Sequence, residues 1–304
     1  MLRKAPCPIP YQGSKRLLAS RIVRCIPPDT EVLWEPFCGS AAVSLAAATA
    51  PHLRLRAIRL NDANEPLARL WRAILDDPAA VAAIYEHHWV EQQAHNPRSY
   101  YDTIRDRFNE THEPELLLYL LARCVKAAVR YNAAGEFNQS PDNRRLGSRP
   151  ERMREHLKLA AERIGGRAMV THVDYVQAVA AAGIDDVVYM DPPYQGVSTQ
   201  RDRRYRDTLE YEGFVAALEG FNKRGLSYIV SYDGRTGEKE HGRVLPDSLS
   251  LVRLEIHAGR SSQATMLGRR DVTVESLYLS EPLVERLGGV PSGLDHACWR
   301  QREG

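Results

Sequence analysis

An aspartate, two prolines and a tyrosine follow an apolar segment in the string Val187-Val-Tyr-Met-Asp-Pro-Pro-Tyr194. The apolar residues predict a buried strand, and the two prolines predict a stiff loop that cannot continue a sheet. This loop presents the carboxylate of Asp191, a carbonyl at Pro192 and the aromatic face of Tyr194. That combination suits an exocyclic amine on a ring: the amine hydrogens bond to Asp191 and Pro192, and the ring stacks on Tyr194. A rigid turn with a surface tyrosine is the alternative interpretation.

A glycine-containing turn stands far upstream in Trp34-Glu-Pro-Phe-Cys-Gly-Ser-Ala-Ala-Val-Ser-Leu45. The pattern predicts a strand that ends near Trp34, a turn at Gly39 and a helix of small residues. Such a unit lets a nucleotide-like ligand approach the backbone at a helix N-terminus. The string lacks the GxGxxG pattern of dinucleotide sites, and an ordinary tight turn accounts better for a single glycine.

A further carboxylate, Asp62, closes the next apolar segment in Leu60-Asn-Asp-Ala-Asn64. A carboxylate at the end of the second strand is commonly the group that holds a ribose diol. Asn61 or Asp62 could instead cap the helix predicted from Glu65. One of them could cap while the other binds ribose.

Six apolar segments predict the strands that position these residues. The first four alternate with helical patterns, which is typical of a mostly parallel sheet covered on both faces. The last two predict an antiparallel hairpin. The predicted strands are 31–34, 55–60, 186–190, 226–231, 249–257 and 271–279, and the predicted helices are 15–25, 41–50, 65–75 and 211–223.

The segment 71–165 interrupts this alternation with long helical patterns and no clear strand. Residues 71–118 contain nine acidic and four basic residues, whereas residues 123–167 contain eleven basic and five acidic ones. A helical insertion with one basic end is the simplest interpretation. A solvated helical face is the alternative, and composition alone slightly favours it.

Composition excludes some classes of protein. The chain of 304 residues has 41 Lys and Arg against 39 Asp and Glu, so it is no polycation, although segregated charge still permits nucleic-acid binding. Five cysteines without CxxC spacing argue against a disulfide framework and against a metal site, and favour a cytoplasmic protein. Neither a membrane span nor a signal peptide is evident, so we expect no membrane partner.

The motifs, in this order, resemble those of the alpha group of amino-methylating DNA methyltransferases, the Dam-type adenine N6-methyltransferases. The resemblance covers about residues 9–280. It is carried by Asp-Pro-Pro-Tyr at 191–194, by Glu-Pro-Phe-x-Gly at 35–39, and by the strings Pro10-Tyr-Gln-Gly-Ser-Lys-Arg16 and Arg130-Tyr-Asn-Ala-Ala-Gly-Glu-Phe-Asn138. The last string is the most specific after the Asp-Pro-Pro-Tyr motif.

The resemblance implies an α/β fold, namely the Rossmann-like fold of methyltransferases that use S-adenosyl-L-methionine. It has a mixed sheet with a terminal antiparallel hairpin and a helical target recognition insertion. We therefore expect a discontinuous catalytic domain at 1–70 and 165–280, a target recognition domain at 71–164 and a tail at 281–304.

The resemblance also assigns roles around the cofactor, S-adenosyl-L-methionine. Glu35 is expected to hold its methionine amino group, Asp62 its ribose and Asp174 its adenine amine. The catalytic residues are then Asp191, Pro192, Pro193 and Tyr194. The residues expected at the cofactor are Tyr11, Lys15, Glu35, Pro36, Phe37, Gly39, Asp62, Asp174 and Tyr175.

The implied reaction is methylation of the N6 amine of an adenine that the enzyme flips out of double-stranded DNA. A cognate restriction endonuclease is a possible partner, and the implied location is the cytoplasm of a bacterium or of a phage-infected cell. The residues expected to contact DNA are Lys126, Arg130, Asn132, Arg144, Arg145, Arg201, Arg203, Arg204, Arg260 and Ser261.

Two departures from the family pattern bear on these roles. Ala41 stands where the family's Phe-x-Gly-x-Gly loop has its second glycine, and its methyl group is tolerable if φ stays negative. Val125, Lys126 and Ala128 replace the Tyr, Asn and Leu of members that methylate GATC, so GATC specificity is not implied.

Four alternatives remain. An N4-cytosine DNA methyltransferase would use the same geometry, although that class more often has Ser in place of Asp191. Enzymes that methylate RNA or a glutamine amide more often carry Asn-Pro-Pro-Tyr. An inactive methyltransferase fold that binds nucleic acid is disfavoured by the intact motif, and a nicotinamide oxidoreductase by the absent glycine fingerprint.

Overall fold

The structure is a computed structural model that describes residues 5–193, 210–236, 239–241, 243–260 and 272–291. Five residues with predicted roles lie outside these ranges: Tyr194, Arg201, Arg203, Arg204 and Ser261. Arg260 ends a strand, and only its backbone is described. Among the described residues, no helix has the length and apolar character needed to cross a membrane.

A mixed sheet of eight strands runs through the described residues. The strands are β1 (Val32–Glu35), β2 (Ala57–Asn61), β3 (Ala168–Thr171), β4 (Val187–Met190), β5 (Tyr228–Thr236), β6 (Lys239–His241), β7 (Val252–Arg260) and β8 (Val272–Leu279). Their order is β3-β2-β1-β4-β5-β8-β7, and β6 pairs with β5. β1 to β5 are parallel, whereas β8 is antiparallel to both β5 and β7. The predicted mixed sheet with a terminal hairpin is therefore confirmed.

Ten helices accompany the sheet in the described part of the chain. They are α1 (Ala19–Ile22), α2 (Ala42–Ala47), α3 (Glu65–Asp76), α4 (Pro78–Ala94), α5 (Pro97–Thr111), α6 (Pro114–Arg123), α7 (Pro150–Ile164), α8 (Tyr175–Ala178), α9 (Tyr211–Lys223) and α10 (Glu281–Arg286). Four of them, α4 to α7, form the predicted helical insertion between β2 and β3. Helix α3 continues across the predicted domain boundary at residue 70, with Leu70 and Trp71 both buried.

The two faces of the sheet contribute to two hydrophobic cores. Along β4, Val187 and Tyr189 belong to the larger core, and Val188 and Met190 belong to the smaller one. Alternate residues of a strand point to opposite faces, so a parallel strand buried on both faces has an uninterrupted apolar sequence. This arrangement brings the residue after Met190, Asp191, to the edge of the sheet between the two cores.

The observed elements differ from the predicted ones chiefly in three places, and the short strand β6 and the short helix α8 were not predicted either. The predicted helix 15–25 consists of α1 between two 3-10 turns, Lys15–Leu17 and Val23–Cys25. The strand β3 was not predicted, because it lies at the sheet edge and its Met169 is exposed.

The third difference concerns the segment expected to be a tail. It begins with helix α10, whose Leu283 is buried and whose Arg286 donates hydrogen bonds to the carbonyl of Asp186 at 2.9 Å and to the hydroxyl of Ser227 at 3.0 Å. The first residues after 280 therefore pack on the folded chain.

Candidate active site

Four carboxylates follow four adjacent parallel strands. In the order of the sheet, Asp174 comes after β3, Asp62 after β2, Glu35 at the end of β1 and Asp191 after β4. Parallel strands end at the same edge, so these side chains lie along one side of the sheet. The carboxyl edge is where open α/β sheets bind their ligands.

The turn after β1 is held by groups from two other segments. Gly39 donates its N–H to Oδ2 of Asp62 at 3.0 Å, and Trp71 donates its indole N–H to the carbonyl of Gly39 at 2.8 Å. Gly39 has a φ of +46°, and a Cβ atom there would lie 3.1 Å from Cε1 of Tyr11. Glycine is therefore required, and the ring of Tyr11 lies directly against the turn.

Asn61, at the end of β2, joins the loops that follow β1 and β3. Its side-chain amide donates to the carbonyls of Pro36 and Val173, both at 3.0 Å, and its Oδ1 accepts from Thr171 and from the N–H of Val173. Neither Asn61 nor Asp62 is the N-cap of α3, which is Asn64. Asn61 was expected at most to cap a helix, and its bridging role depends on a burial that only the structure shows.

Glu35 is a buried carboxylate next to helix α2. Its Oε2 accepts hydrogen bonds from the N–H of Ser44 at 3.1 Å and from the Ser44 hydroxyl at 2.5 Å. Burial raises the pKa of Glu35 to about 8, against the hydrogen bonds from Ser44, which lower it. No basic side chain pairs with Glu35 among the described residues.

Asp62 is a second buried carboxylate with a raised pKa, although its pKa is lower than that of Glu35. Burial raises its pKa to about 6, although hydrogen bonds from the N–H groups of Asn64 and Gly39 lower it. Both carboxylate oxygens hold backbone N–H groups of the turn. Each oxygen keeps a second lone pair that can accept a hydroxyl.

Two aromatic rings lie beside this turn. The rings of Phe37 and Tyr175 are 5.1 Å apart between centroids at an interplanar angle of 30°, and both residues are half-buried. Asp174 is exposed and caps α8 by accepting the N–H of Val176 at 2.8 Å. The edge thus offers an aromatic wall with an accessible carboxylate beside it.

The carboxylate of Asp191 lies in an ion-pair cluster. Nζ of Lys15 is 2.9 Å from Oδ1 of Asp191 and 3.3 Å from Oε2 of Glu275, a residue of β8 that the sequence analysis did not select. Burial raises the pKa of Asp191 to about 6, Lys15 lowers it, and Glu275 raises it. Lys15 was expected at the cofactor, and the structure places its ammonium on Asp191.

Ala41 occupies a conformation that favours glycine. Its φ is +46°, so its backbone lies in the left-handed region and not at the negative φ that tolerates a methyl group. A left-handed conformation costs an L-residue about 1–2 kcal/mol. Ala41 is also fully buried, immediately before α2.

We expect Ala41→Gly to leave the free energy of unfolding unchanged or to raise it. Ala46→Gly is the matched control, because it removes a buried methyl group from the interior of α2, where glycine costs about 1 kcal/mol more than alanine. Urea unfolding of both variants should separate them by about 2 kcal/mol. Equal losses in the two variants would show that the turn at Ala41 is unstrained.

Three of the described residues expected to contact DNA, Lys126, Arg144 and Arg145, lie in two neighbouring loops. Lys126 is exposed in a turn where both Lys126 and Ala127 have positive φ, and the Ala127 carbonyl accepts the N–H of Gln12 at 2.9 Å. Arg144 and Arg145 are exposed in the loop before α7. The loops are joined because the N–H of Val125 donates to the carbonyl of Ser140 at 3.0 Å.

Arg130 and Asn132 belong to a hairpin-like turn between these loops. The side chain of Asn132 accepts from the N–H groups of Ala134 and Glu136 and donates to the carboxylate of Glu136 at 2.7 Å. Arg130 is half-buried, and its carbonyl accepts the N–H of Asn138 at 3.0 Å. Asn132 therefore closes this turn with its own side chain.

The sequence matches one known protein family over most of its length. Residues 11–256 match the family described as D12 class N6 adenine-specific DNA methyltransferase. The chain belongs to this class. The resemblance seen in the sequence is thereby confirmed, and with it the activity of an adenine-specific DNA methyltransferase.

Three relatives show how far the likeness extends. The DNA N-6-adenine-methyltransferase of Escherichia phage P1 is 26% identical over 76% of this chain, which spans 30% of that longer protein. The DNA adenine methylase of Escherichia coli K12 is 27% identical over 73% of this chain and 78% of its own length. The Type II methyltransferase M1.LlaDCHI of Lactococcus lactis subsp. cremoris is 26% identical over 60% of this chain and 64% of its own length.

The cofactor of a D12 class methyltransferase is S-adenosyl-L-methionine, and the described edge fits it. Glu35 and Asp62 are buried carboxylates without a described ion-pair partner, which a ligand with an ammonium and hydroxyl groups would satisfy. The turn at Gly39 leaves no room for a Cβ atom beneath Tyr11. The rings of Phe37 and Tyr175 form an aromatic wall at the same edge of the sheet.

Proposed function

We propose that this D12 class enzyme methylates an adenine in a specific sequence of double-stranded DNA after flipping that base out of the helix. The observation that carries the proposal is the position of Asp191. Its carboxylate is 2.9 Å from Lys15 through Oδ1, and no described donor bonds to Oδ2. One oxygen is therefore available to a substrate amine at the edge that also carries Glu35 and Asp62.

The proposed mechanism depends on positioning. Bound S-adenosyl-L-methionine supplies a methyl group on a sulfonium. The Asp191 carboxylate and the Pro192 carbonyl accept the two N6 hydrogens, which aims the nitrogen lone pair at that methyl group. Asp191 can then hold the proton that N6 loses. Pro193 keeps the loop stiff, and Tyr194 is proposed to stack on the extruded base.

We propose that the cofactor lies along the loops after β1, β2 and β3. Glu35 would hold its amino group, Asp62 its ribose hydroxyls and Asp174 its adenine amine. Pro36 and Gly39 would form the floor of the site, while Tyr11, Phe37 and Tyr175 would cover it. The raised pKa of Glu35, about 8, supports this assignment, because a buried acid without a cation gains most from an ammonium ligand.

We also propose that residues 71–164 form the target recognition domain and that residues 1–70 and 165–280 form the catalytic domain. The four helices of the insertion and its exposed basic loop support this division. Buried Arg123 holds the basic loop, since it donates to the carbonyl of Asp142 at 3.0 Å and to that of Arg145. Lys126, Arg130, Arg144 and Arg145 would contact DNA.

Neutralising Arg144 and Arg145 together to glutamine is expected to weaken DNA binding for all sequences alike. Each lost phosphate contact lowers the slope of log K against log salt by about 0.9, so the slope should fall by about 1 to 2. Fluorescence anisotropy with labelled duplexes at several salt concentrations measures both effects. Arg54 and Arg56 are the matched control, because they precede β2 at the opposite edge of the sheet. An unchanged slope would show that Arg144 and Arg145 lie on a solvated face away from DNA.

Identification of the product base tests the proposal directly. The protein is incubated with methyl-labelled S-adenosyl-L-methionine and unmethylated duplex DNA, which is then digested to nucleosides. We expect the label in N6-methyldeoxyadenosine, and sequencing of the methylated DNA before digestion should place it at one short sequence. N4-methylcytosine would favour the cytosine alternative, and an absence of label in DNA would contradict the proposal.

A bacterial or phage setting is proposed from the relatives, with action on DNA in the cytoplasm. The four described cysteines, Cys7, Cys25, Cys38 and Cys124, form no disulfide with one another. The likeness to a Type II methyltransferase supports a cognate restriction endonuclease as a possible partner. Digestion of methylated and unmethylated DNA by that endonuclease would test the pairing.

A further inference from the structure

Glu275 stands at an unusual position in β8. Leu277 and Leu279, which alternate with it on the same face of the strand, belong to the larger hydrophobic core. Its partner across the strands, Ile256, belongs to that core too. A carboxylate is costly on such a face unless a cation or hydrogen bonds compensate for it.

The compensating charge is the ammonium of Lys15. Lys15 is only 5% exposed, and its Nζ is 3.3 Å from Oε2 of Glu275 and 2.9 Å from Oδ1 of Asp191. Oε2 of Glu275 is buried and accepts no hydrogen bond from the described residues. The contact with Lys15 is therefore one of charge, while the shorter contact of Lys15 with Asp191 is also a hydrogen bond.

The sheet brings Glu275 to this place through an irregularity. The register between β5 and β8 shifts between Ser231 and Gly234, and Glu275 pairs with Gly234 just after the shift. A Cβ atom on Gly234 would lie 2.6 Å from the carbonyl oxygen of Val274, so β8 approaches β5 closely there. Bulges of this kind re-aim side chains, often beside active sites.

We propose that Glu275 is a positioning residue for methyl transfer, which shares the ammonium of Lys15 with Asp191 and so holds Lys15 on Oδ1 while Oδ2 stays open to the substrate amine. Without Glu275, the ammonium of Lys15 would lose one of its two described carboxylate partners, would act more strongly on Asp191, and would reduce the strength of Asp191 as an acceptor. Without Lys15, two carboxylates would face each other. The proposal deepens the proposed function and rests on it for the identity of the amine.

The charged and titratable groups around Asp191 are few among the described residues. Lys15 comes from the amino-terminal segment, Glu275 from β8 and Tyr189 from β4, and the charge of Asp191 raises the pKa of Glu35 of β1. Because Glu275 raises the pKa of Asp191 and Lys15 lowers it, removing either one has a definite sign. A residue that merely supports the fold would move neither.

The test uses two variants, Glu275→Gln, which keeps the size of the side chain, and Lys15→Met. Glu281→Gln is the control, because Glu281 is an exposed residue of α10. Carbon-13 labelling of aspartate carboxylates gives the pKa of Asp191 in each variant, with Asp191→Asn assigning the signal. We expect Glu275→Gln to lower that pKa by about one unit and Lys15→Met to raise it by about one unit or more. The control should not shift it.

Steady-state kinetics with DNA supply the second measurement. We expect kcat to fall about tenfold in Glu275→Gln, with the cofactor dissociation constant unchanged. The acid limb of the pH profile of kcat should move to lower pH in this variant. Unshifted titrations in both variants would overturn the proposal even if the wild-type protein methylates adenine. Opposite shifts in a protein that methylates no DNA would uphold the cluster and reject the proposed function.

Discussion

Replacement of Asp191 by alanine is expected to lower methyl transfer by one to two orders of magnitude or more, while cofactor binding stays near that of the wild type. The carboxylate is the acceptor proposed for the N6 hydrogens, and a hydrogen bond to a charged group is worth about 1.5–3 kcal/mol. That energy corresponds to a loss of about 10- to 150-fold in kcat/KM. Transfer of labelled methyl groups to duplex DNA measures the activity, and calorimetric titration measures the cofactor affinity.

A second variant separates chemistry from folding. Asp191→Ala removes the nearer of the two described carboxylates from the buried ammonium of Lys15, and breaking a buried ion pair can destabilise a protein by about 3–5 kcal/mol. Asp191→Asn keeps the shape of the side chain, so thermal unfolding should change less while activity stays low. Activity within about threefold of the wild type in a folded variant would remove Asp191 from the active site.

The pH profile of the wild-type enzyme gives the same assignment an independent check. Asp191 must be ionised to accept the amine hydrogens, and its pKa is raised to about 6 chiefly by burial. Activity should therefore fall as the pH drops through about 6 and should be nearly independent of this group above it. The stability that Asp191 contributes has the opposite trend: it is full below the ordinary pKa of 3.8 and is lost as the pH rises through 6.

The strands in the middle of the sheet could be predicted because their burial leaves a local pattern in the sequence. β1, β4 and the first residues of β5 are buried on both faces, so each appears as a mostly apolar run. β2 is interrupted by half-buried Arg59 between buried Ile58 and Leu60. The edge strand β3 has no such run, because Met169 is exposed and Ala168 and Thr171 are only half-buried. Local pattern also mispredicted the first helix, because tertiary contacts outweigh helix propensity there. Ser14 lies 2.7 Å from Ser40 through their hydroxyls, and Lys15 pairs with Asp191.

The active site was predictable only where its residues follow strands. Glu35, Asp62 and Asp191 could be selected because each stands directly after an apolar run, and the ends of parallel strands meet at one edge. The contact between Lys15 and Glu275 joins residues that are far apart in the sequence, so no local spacing predicts it. The one local signal was a glutamate at an inward position of an alternating strand. The strain at Ala41 also needed coordinates, since a positive φ at alanine is invisible in its type.

Glu35 links the binding of the cofactor to the release of a proton that can be measured. Oε2 of Glu35 is occupied by both donors of Ser44, so the carboxylate supports α2 as well as facing the ligand edge. Its raised pKa, about 8, means that most molecules carry a protonated Glu35 at neutral pH. An ammonium ligand would favour the ionised form, and binding should therefore release a proton.

Cofactor affinity is accordingly expected to increase as the pH rises from 6 to 8, by up to about tenfold per pH unit. Nearly one proton should leave Glu35 on binding at pH 7, and the trend should end near pH 8, where an α-amino group starts to lose its own proton. Calorimetric titrations in buffers of different ionisation enthalpy count the protons. Glu35→Gln keeps an acceptor for Ser44 but cannot ionise, so it should bind about tenfold or more weakly and without proton release.

The free protein should show the corresponding stability trend. The contribution of Glu35 to the free energy of unfolding is full below its ordinary pKa of 4.5 and is lost as the pH rises through about 8. Glu35→Gln should flatten that dependence, and Ser44→Ala, which removes a hydrogen bond that lowers the pKa, should move it to higher pH. Binding that is equal at pH 6 and pH 8, with no proton released, would place the cofactor's amino group elsewhere and leave Glu35 only its hydrogen bonds to Ser44.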